Sequence, residues 1–165
     1  MSSATMSFSE STLARFAREV AKYPADQKQS AVMACLAIIQ QEQGFVSAES
    51  EKALAEVLGM PPIAVHEVTT FYNMYNQQPV GRYKLNVCTN LPCQLRGGQK
   101  ALDHVCGKLG VEDGGTTADG KFTVQHSECL GACADAPVLL VNDREMCSFM
   151  GTERLDELLD TLRKN

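Results

Sequence analysis

The stretches C-T-N-L-P-C at Cys88–Cys93 and C-L-G-A-C at Cys129–Cys133 hold four of the seven cysteines of this 165-residue chain. Four residues lie inside the first pair, three lie inside the second, and thirty-five separate Cys93 from Cys129. Two close pairs that a folded segment brings together offer four thiolates at one place, and four thiolates bind metal. The remainder of the chain is expected to position this group or to contact its partner.

The segments that lead into the cysteine pairs have the pattern of β-strands. From residue 82 apolar and polar side chains alternate up to Cys88, which predicts a half-buried strand. A helix is predicted over about 95–109, with Cys93 in the loop before it or in its first turn. A second strand over 122–126 leads to Cys129. Because Cys88 and Cys129 both follow strands, their loops are expected to meet at one edge of a sheet.

Two more strands and a helix are predicted after the second cysteine pair. The apolar run 137–141 indicates a third strand, Asn142-Asp143 is typical of a tight turn, and 145–149 pairs back as a fourth strand. A last helix begins near Thr152. The order β-α-β-β-β-α, with a parallel β-α-β unit followed by an antiparallel hairpin, is the arrangement of a thioredoxin-like domain.

The residues before this domain are predicted to be helical. Four short, separately capped helices occupy 1–76, with the second beginning near Asp26, and the pattern breaks at 77–81. The predicted fold class is therefore α+β. It consists of a helical region over 1–76 and a thioredoxin-like domain over 77–165 with a four-stranded mixed sheet.

Composition excludes several classes of partner. The chain has 15 basic and 20 acidic residues, a net charge of −5, which argues against nucleic acid or an anionic membrane as the main partner. No apolar run approaches the ~20 residues of a membrane span. The first residues are small and polar, without the apolar centre of a signal peptide. These features predict a cytosolic protein, in which structural disulfides are disfavoured.

Spacing alone leaves the bound metal open. A [2Fe–2S] cluster takes four thiolates, two for each iron, and a structural zinc ion also takes four. A redox disulfide fits less well, because a thioredoxin-type site needs C-x-x-C. Gly131 is expected to let the backbone turn close to sulfur. An apolar cover is expected from Leu91, Pro92, Leu130 and Pro137.

We expect structural roles for the other three cysteines and for the histidine nearest to the cysteine pairs in sequence. Cys35 and Cys106 fall on the apolar faces of predicted helices, where a thiol acts as core filler. Cys147 lies in a predicted strand and has no cysteine beside it. His126, three residues before Cys129, is expected to support the site or the fold rather than to bind the metal.

Further motifs connect the chain to a known family. They are P-P-I-A-V-H-E-V-T-T-F-Y-N-M-Y at Pro61–Tyr75, Q-P-V-G-R-Y at Gln78–Tyr83 and D-G-K-F-T-V at Asp119–Val124, beside the two cysteine motifs. With them, nearly the whole chain resembles the thioredoxin-like [2Fe–2S] subunit of bacterial NADH:quinone oxidoreductase (complex I). The resemblance favours iron–sulfur over zinc and implies the ligand set Cys88, Cys93, Cys129 and Cys133.

The resemblance also implies a function and a partner. It implies an electron-transfer subunit with one [2Fe–2S] cluster that exchanges single electrons with the flavin of an NADH-oxidising subunit. FMN and NADH would be bound by that partner, and the isolated chain would have no substrate site and no catalytic residue. The complex would place the chain peripherally on the cytoplasmic side of the inner membrane, without direct insertion. Two other functions stay open: the equivalent subunit of an NAD-dependent formate dehydrogenase or NAD-linked hydrogenase, and a zinc-stabilised adaptor.

One segment is a candidate for contact with the flavin-bearing subunit. Phe71, Tyr72, Met74 and Tyr75 end the helical region with aromatic and Met side chains, which are enriched at interfaces. The same residues would equally serve to pack the helical region on the thioredoxin-like domain.

Overall fold

The computed structural model describes residues 7–165, and these form two compact units that divide between Pro79 and Val80. The prediction that the chain has no signal peptide concerns a segment that lies mostly outside the described residues. No helix within 7–165 has the length and apolar character needed to cross a membrane.

The first unit is helical, as the sequence predicts. Its helices are α1 (Glu10–Val20), a 3-10 helix (Ala25–Ala31), α2 (Val32–Gln43), α3 (Ala48–Leu58) and α4 (Pro62–Phe71). The side chains of Ser9 and Ser47 cap α1 and α3 by accepting backbone N–H groups. The predicted start of the second helix near Asp26 is wrong for an α-helix. Residues 25–31 form the tighter 3-10 turn and Gln27 has a non-helical backbone, so α2 begins only at Val32.

The core of the helical unit packs around α2. Its fully buried side chains come from every helix of the unit and include Phe16, Leu36, Ile39, Leu54 and Val65. Tyr75 also belongs to this core: it is 6% exposed and its hydroxyl donates to the Met33 carbonyl at 2.8 Å. Tyr75 is therefore a core residue of the helical unit.

The second unit has the predicted β-α-β-β-β-α order with one added helix. Its elements are β1 (Tyr83–Cys88), α5 (Leu91–Leu95), α6 (Gly98–Leu109), β2 (Phe122–Ser127), a 3-10 turn (Cys133–Asp135), β3 (Leu139–Val141), β4 (Glu145–Cys147) and α7 (Thr152–Lys164). The predicted single helix over about 95–109 is wrong at its start. Gly97 takes a left-handed φ of 96° and ends one helix before the next begins, so Cys93 lies in a separate helix, α5.

The sheet is four-stranded and mixed, in the order β2-β1-β3-β4. β1 and β2 are parallel, with Cys88 opposite Ser127, and the other neighbours are antiparallel. One face of the sheet forms the core with α6 and α7, through residues such as Leu85, Val105 and Leu159. The ends of β1 and β2 thus lie side by side, which is where the cysteine loops start.

Candidate metal centre

The first cysteine pair is buried at the end of β1. Cys88 is the last residue of that strand and Cys93 is in α5; their exposed fractions are 2% and 1%. The backbone N–H of Cys88 donates to the Val138 carbonyl at 3.1 Å, and Thr89 N–H donates to the Ser127 carbonyl at 3.1 Å. The first cysteine loop is therefore fixed to the end of β2 and to the residue that precedes β3.

The second cysteine pair is exposed and lies beyond β2. The sulfur atoms of Cys129 and Cys133 are 3.9 Å apart, and the N–H of Gly131 donates to the Cys129 sulfur at 3.4 Å. Gly131 has a φ of 80°, as the predicted turn toward sulfur requires. With metal–sulfur bonds of ~2.3 Å in tetrahedral geometry, two thiolates on one metal lie ~3.8 Å apart. The spacing of this pair is therefore that of two ligands on one metal ion.

Electrostatic interactions connect the two pairs. Burial raises the pKa of the Cys93 thiol, and its hydrogen bond with Cys88 and the nearby Cys133 raise it further. The hydrogen bond with Cys129 raises the pKa of Cys133, and Cys88 adds to that rise. Because Cys88 and Ser127 lie opposite each other at the ends of β1 and β2, the two cysteine pairs start at the same edge of the sheet. Within residues 7–165 no three or more Cys, His, Asp or Glu side chains are grouped as ligands of a single ion.

The backbone of α6 packs directly on the first cysteine loop. A Cβ added at Gly98 would lie 2.6 Å from the carbonyl oxygen of Cys88 and 3.0 Å from the carbonyl carbon and oxygen of Cys93. No real Cβ approaches backbone atoms so closely, so residue 98 has to be glycine for this packing. Gly98 therefore supports the backbone that presents both buried sulfurs.

Apolar side chains surround the buried pair. Ala136 and Val138 are buried against Cys88 and Cys93, and Leu130 and Ala132 pack on the same group. Of the cover that the sequence predicts, Leu130 is in this position, whereas Leu91 is 64% exposed. An apolar shell limits water at the sulfur atoms, which is one of the factors that set the potential of a metal centre.

The segment that follows Cys133 is fastened to the end of the sheet. The Asp135 carbonyl accepts the N–H of Phe149 at 2.8 Å, and its carboxylate accepts the Ser148 hydroxyl at 3.0 Å. Phe149 has a φ of 55° and is half exposed. These bonds hold the Cys133 turn in place although Cys133 itself faces solvent.

The three remaining cysteines are separate from this group. Cys35 is fully buried, and burial raises its pKa to about 11. Burial likewise raises the pKa of Cys106 and of Cys147. All seven cysteines are free thiols. These environments agree with the structural roles predicted for the three.

His126 is held by an acidic residue rather than by sulfur. Its Nδ1 lies 2.6 Å from a carboxylate oxygen of Asp113, and its backbone N–H donates to the other oxygen at 2.7 Å. The imidazole ring therefore helps to hold the loop that contains Asp113.

Sequence reasoning missed three residues that shape the site. Gly98 was visible as half of a Gly-Gly pair, but a pair of glycines does not reveal which backbone it will approach. Ala136 and Val138 are small apolar residues that follow Cys133, and no spacing pattern in the sequence connects them with the site.

The fold and the site together define a class: a thioredoxin-like domain with two cysteine pairs at the ends of adjacent parallel strands, preceded by a helical unit. The sequence profile of the thioredoxin-like [2Fe-2S] ferredoxin family matches residues 16–163. The chain belongs to this family.

Curated relatives match over most of the chain. NADH-quinone oxidoreductase subunit 2 of Thermus thermophilus is 40% identical over 143 residues, covering 87% of this chain and 79% of the relative. An NADH-quinone oxidoreductase subunit of Rickettsia bellii is 36% identical over 160 residues, covering 96% of this chain and 95% of the relative. The helical unit and the cysteine domain are therefore both shared with these subunits.

A solved structure has the same fold. An NAD+-reducing [NiFe]-hydrogenase in the H2-reduced state superimposes with a TM-score of 0.66 at 24% identity, over 79% of this chain. The match spans only 22% of the hydrogenase chain. At this identity the likeness concerns the fold alone.

Proposed function

We propose that this chain is the electron-transfer subunit of a respiratory NADH:quinone oxidoreductase and holds one [2Fe–2S] cluster. The single observation that carries the proposal is the arrangement of Cys88, Cys93, Cys129 and Cys133 as two sulfur pairs at neighbouring strand ends. The identity of 36–40% with NADH-quinone oxidoreductase subunits supports the choice of complex.

The four proposed ligands lie in two loops, and each loop would bind one iron. Cys88 and Cys93 would bind one iron from a rigid, buried loop, and Cys129 and Cys133 would bind the other from the exposed side. The 3.9 Å between the sulfur atoms of the second pair fits two ligands on one iron. When bound, such a cluster supplies a site that takes up and releases one electron. Gly131 N–H already donates to the Cys129 sulfur, which is the type of bond that stabilises a negatively charged cluster.

The exposure of the second pair indicates where electrons would enter and leave. Cys129 and Cys133 are exposed, whereas Cys88 and Cys93 are buried. Electron transfer needs a short path to the partner, so the partner would approach the loop 129–133. We propose that this partner is the subunit that binds FMN and NADH, and that the complex lies on the cytoplasmic side of the inner membrane.

The end of α4 is proposed as a second contact with that subunit. Phe71 is 79% exposed, and Tyr72 and Met74 are 38% and 41% exposed. The rings of Phe71 and Tyr72 form an edge-to-face pair with centroids 5.0 Å apart. Exposed aromatic and Met side chains are enriched at interface cores. Tyr75 is left out of the proposed contact because it is buried.

We propose that the region 1–76 mainly provides docking and that 77–165 holds the cluster.

Reconstitution with the flavin-bearing subunit tests the function. The cluster-loaded chain is mixed with that subunit and NADH without oxygen, and its visible absorbance is followed. Bleaching that requires both NADH and the partner is expected. Bleaching by NADH without the partner, or no bleaching with it, contradicts the proposal. A colourless protein that contains zinc and no iron would support the adaptor instead.

A further inference from the structure

A groove of about 550 Å³ lies between α1 and α2 in the helical unit. Its apolar floor is formed by Ala34, Ala37 and Ile38 of α2, which share one helix face. Its rim is basic, with Arg15, Arg18 and Lys22 on the other side. The groove therefore combines an apolar floor with a positive rim.

The basic residues of this rim are concentrated in a segment that is acidic overall. The segment 1–79 contains five basic and eight acidic residues, and the whole chain has a net charge of −5. Three of the five basic residues line the groove, against one acidic residue, Glu19. The groove thus reverses the sign of the charge that surrounds it.

Arg15 and Lys22 already form ion pairs, so the positive charge available to a partner comes mainly from Arg18 and, through a weak surface pair, from Lys22. Arg15 donates to Glu42 and to Gln41, each at 2.7 Å, and so fixes α1 on α2. Lys22 contacts Glu19 at 2.5 Å on the surface, where such a pair contributes little. Arg18 is exposed, and no acidic residue within 7–165 forms an ion pair with it.

The basic residues have the geometry to meet one helix. Arg15 and Arg18 lie about one turn apart on α1, and Lys22 follows in the turn after its last residue, Val20, so the three basic side chains line one side of the groove. The eleven residues of α1 extend over ~16 Å, which matches about three turns of a second helix. Helix-in-groove binding uses this combination of an apolar floor and complementary rim charges.

We propose that an acidic amphipathic helix of a partner subunit docks in this groove. Its apolar face would cover the half-buried Ala34 and Ala37, and its carboxylates would meet Arg18 and Lys22. Charge complementarity is the argument for this occupant. The inference rests on the proposed function only in that the chain works inside a complex, and it concerns a different surface from the cysteine loops.

Charge reversal in the assembled complex tests the docking. The complex is isolated through a tag on this chain, as wild type, as the double variant Arg18→Glu/Lys22→Glu, and as Lys52→Glu. Lys52 is an exposed residue of the same unit outside the groove. Its variant changes the charge by as much as Arg18→Glu alone, so that single variant is measured beside the double variant as the charge-matched comparison. The double variant is expected to dissociate about tenfold more readily and to lose the salt dependence of binding, while Lys52→Glu behaves as wild type.

A zero-length carbodiimide cross-link identifies the occupant. This reagent joins Lys22 to a carboxylate in contact with it, and mass spectrometry locates the linked residue. A link to Asp or Glu in a helix of another subunit supports the proposal. Links confined to this chain, equal dissociation of both variants, or binding of the chain alone to phosphatidylglycerol vesicles through Arg18 and Lys22 would overturn it. Cluster content in the same preparations separates these outcomes from a failure of the proposed function.

Discussion

Gly98 and Cys88 are in direct backbone contact: the start of α6 lies so close to the Cys88 carbonyl that a Cβ at residue 98 would stand 2.6 Å from that oxygen. This contact connects the helix that packs on the sheet with the loop that presents the buried sulfurs. A methyl group at residue 98 has no space unless one of the two backbones moves.

We expect Gly98→Ala to disturb the metal centre. Overpacking of this kind costs ~1–3 kcal/mol, and here the strain falls on the backbone of Cys88 and Cys93. Iron content per chain and the unfolding free energy should both fall. Gly107→Ala in the same helix is the matched control, because a Cβ there meets nothing within 4 Å. It should keep the iron and gain about 0.5–1 kcal/mol of stability. Equal iron content in the two variants would show that the contact has no role at the site.

Replacement of individual cysteines by serine should separate ligands from core residues. Cys93→Ser and Cys133→Ser are expected to weaken or abolish the cluster absorbance, because serine replaces a proposed ligand. Cys35→Ser should keep the absorbance and lose stability by ~1–3 kcal/mol, since a hydroxyl would be placed in a fully buried apolar site. Retention of the cluster in Cys133→Ser together with its loss in Cys35→Ser would reverse this assignment.

Tyr75 and Phe71 should respond in opposite ways to truncation. Tyr75→Ala removes a buried ring and its bond to Met33, so the helical unit is expected to lose ~3–5 kcal/mol. Phe71→Ala removes a ring that is 79% exposed, so its unfolding free energy should stay within about 0.5 kcal/mol of wild type. Retention of the chain in the complex should nevertheless fall for Phe71→Ala. Unchanged retention would remove this end of α4 from the proposed interface.

Acid should weaken the contact between α6 and α7. Asp156 on α7 lies 2.7 Å from His104 and 3.1 Å from Lys108, both on α6. The hydrogen bond from His104, followed by that from Lys108, holds the pKa of Asp156 below its usual value. Because the pKa of Asp156 is lower in the folded than in the unfolded protein, its ionisation stabilises the fold at pH values above the ordinary carboxyl pKa of about 4. This stabilisation is lost as the pH falls from about 4 through the lowered pKa of the folded state.

Chemical unfolding of wild type and Asp156→Asn at several pH values measures this effect. Wild type should be the more stable protein at neutral pH, and the difference should shrink as the pH falls below about 4. A difference that stays constant down to about pH 3 would mean that the ionisation of Asp156 contributes nothing.

The sequence predicted those features that depend on local pattern. Cys88 ends an alternating stretch and Cys129 follows another, so strands that precede both pairs, and the parallel pairing of those strands, could be expected in advance. The left-handed turn at Gly97, which places Cys93 in a separate helix, was not predicted. The turn interrupts the helix without changing the helical spacing of the residues around it.

Features that depend on tertiary contact could not be predicted in this way. Gly98 is required because it approaches the backbone of Cys88 and Cys93, ten and five residues earlier in the chain, and the sequence does not show how the chain between them folds back. Tyr75 follows three exposed side chains in the same motif, and only the packing of the folded helical unit, with the Met33 carbonyl beside its hydroxyl, makes it a core residue. The basic groove combines residues of α1, the turn after it and α2, which no single stretch of sequence places together.

Analysis of iron, acid-labile sulfide and the paramagnetic resonance of the reduced protein tests the central claim most directly. The proposed centre predicts two irons and two sulfides per chain, and a signal from one unpaired electron per chain that is absent before reduction. Replacement of any of the four proposed ligand cysteines by serine should alter or abolish that signal. A single zinc ion, a sulfide content near zero, or an unchanged signal in Cys88→Ser and Cys129→Ser would contradict the assignment of the four cysteines.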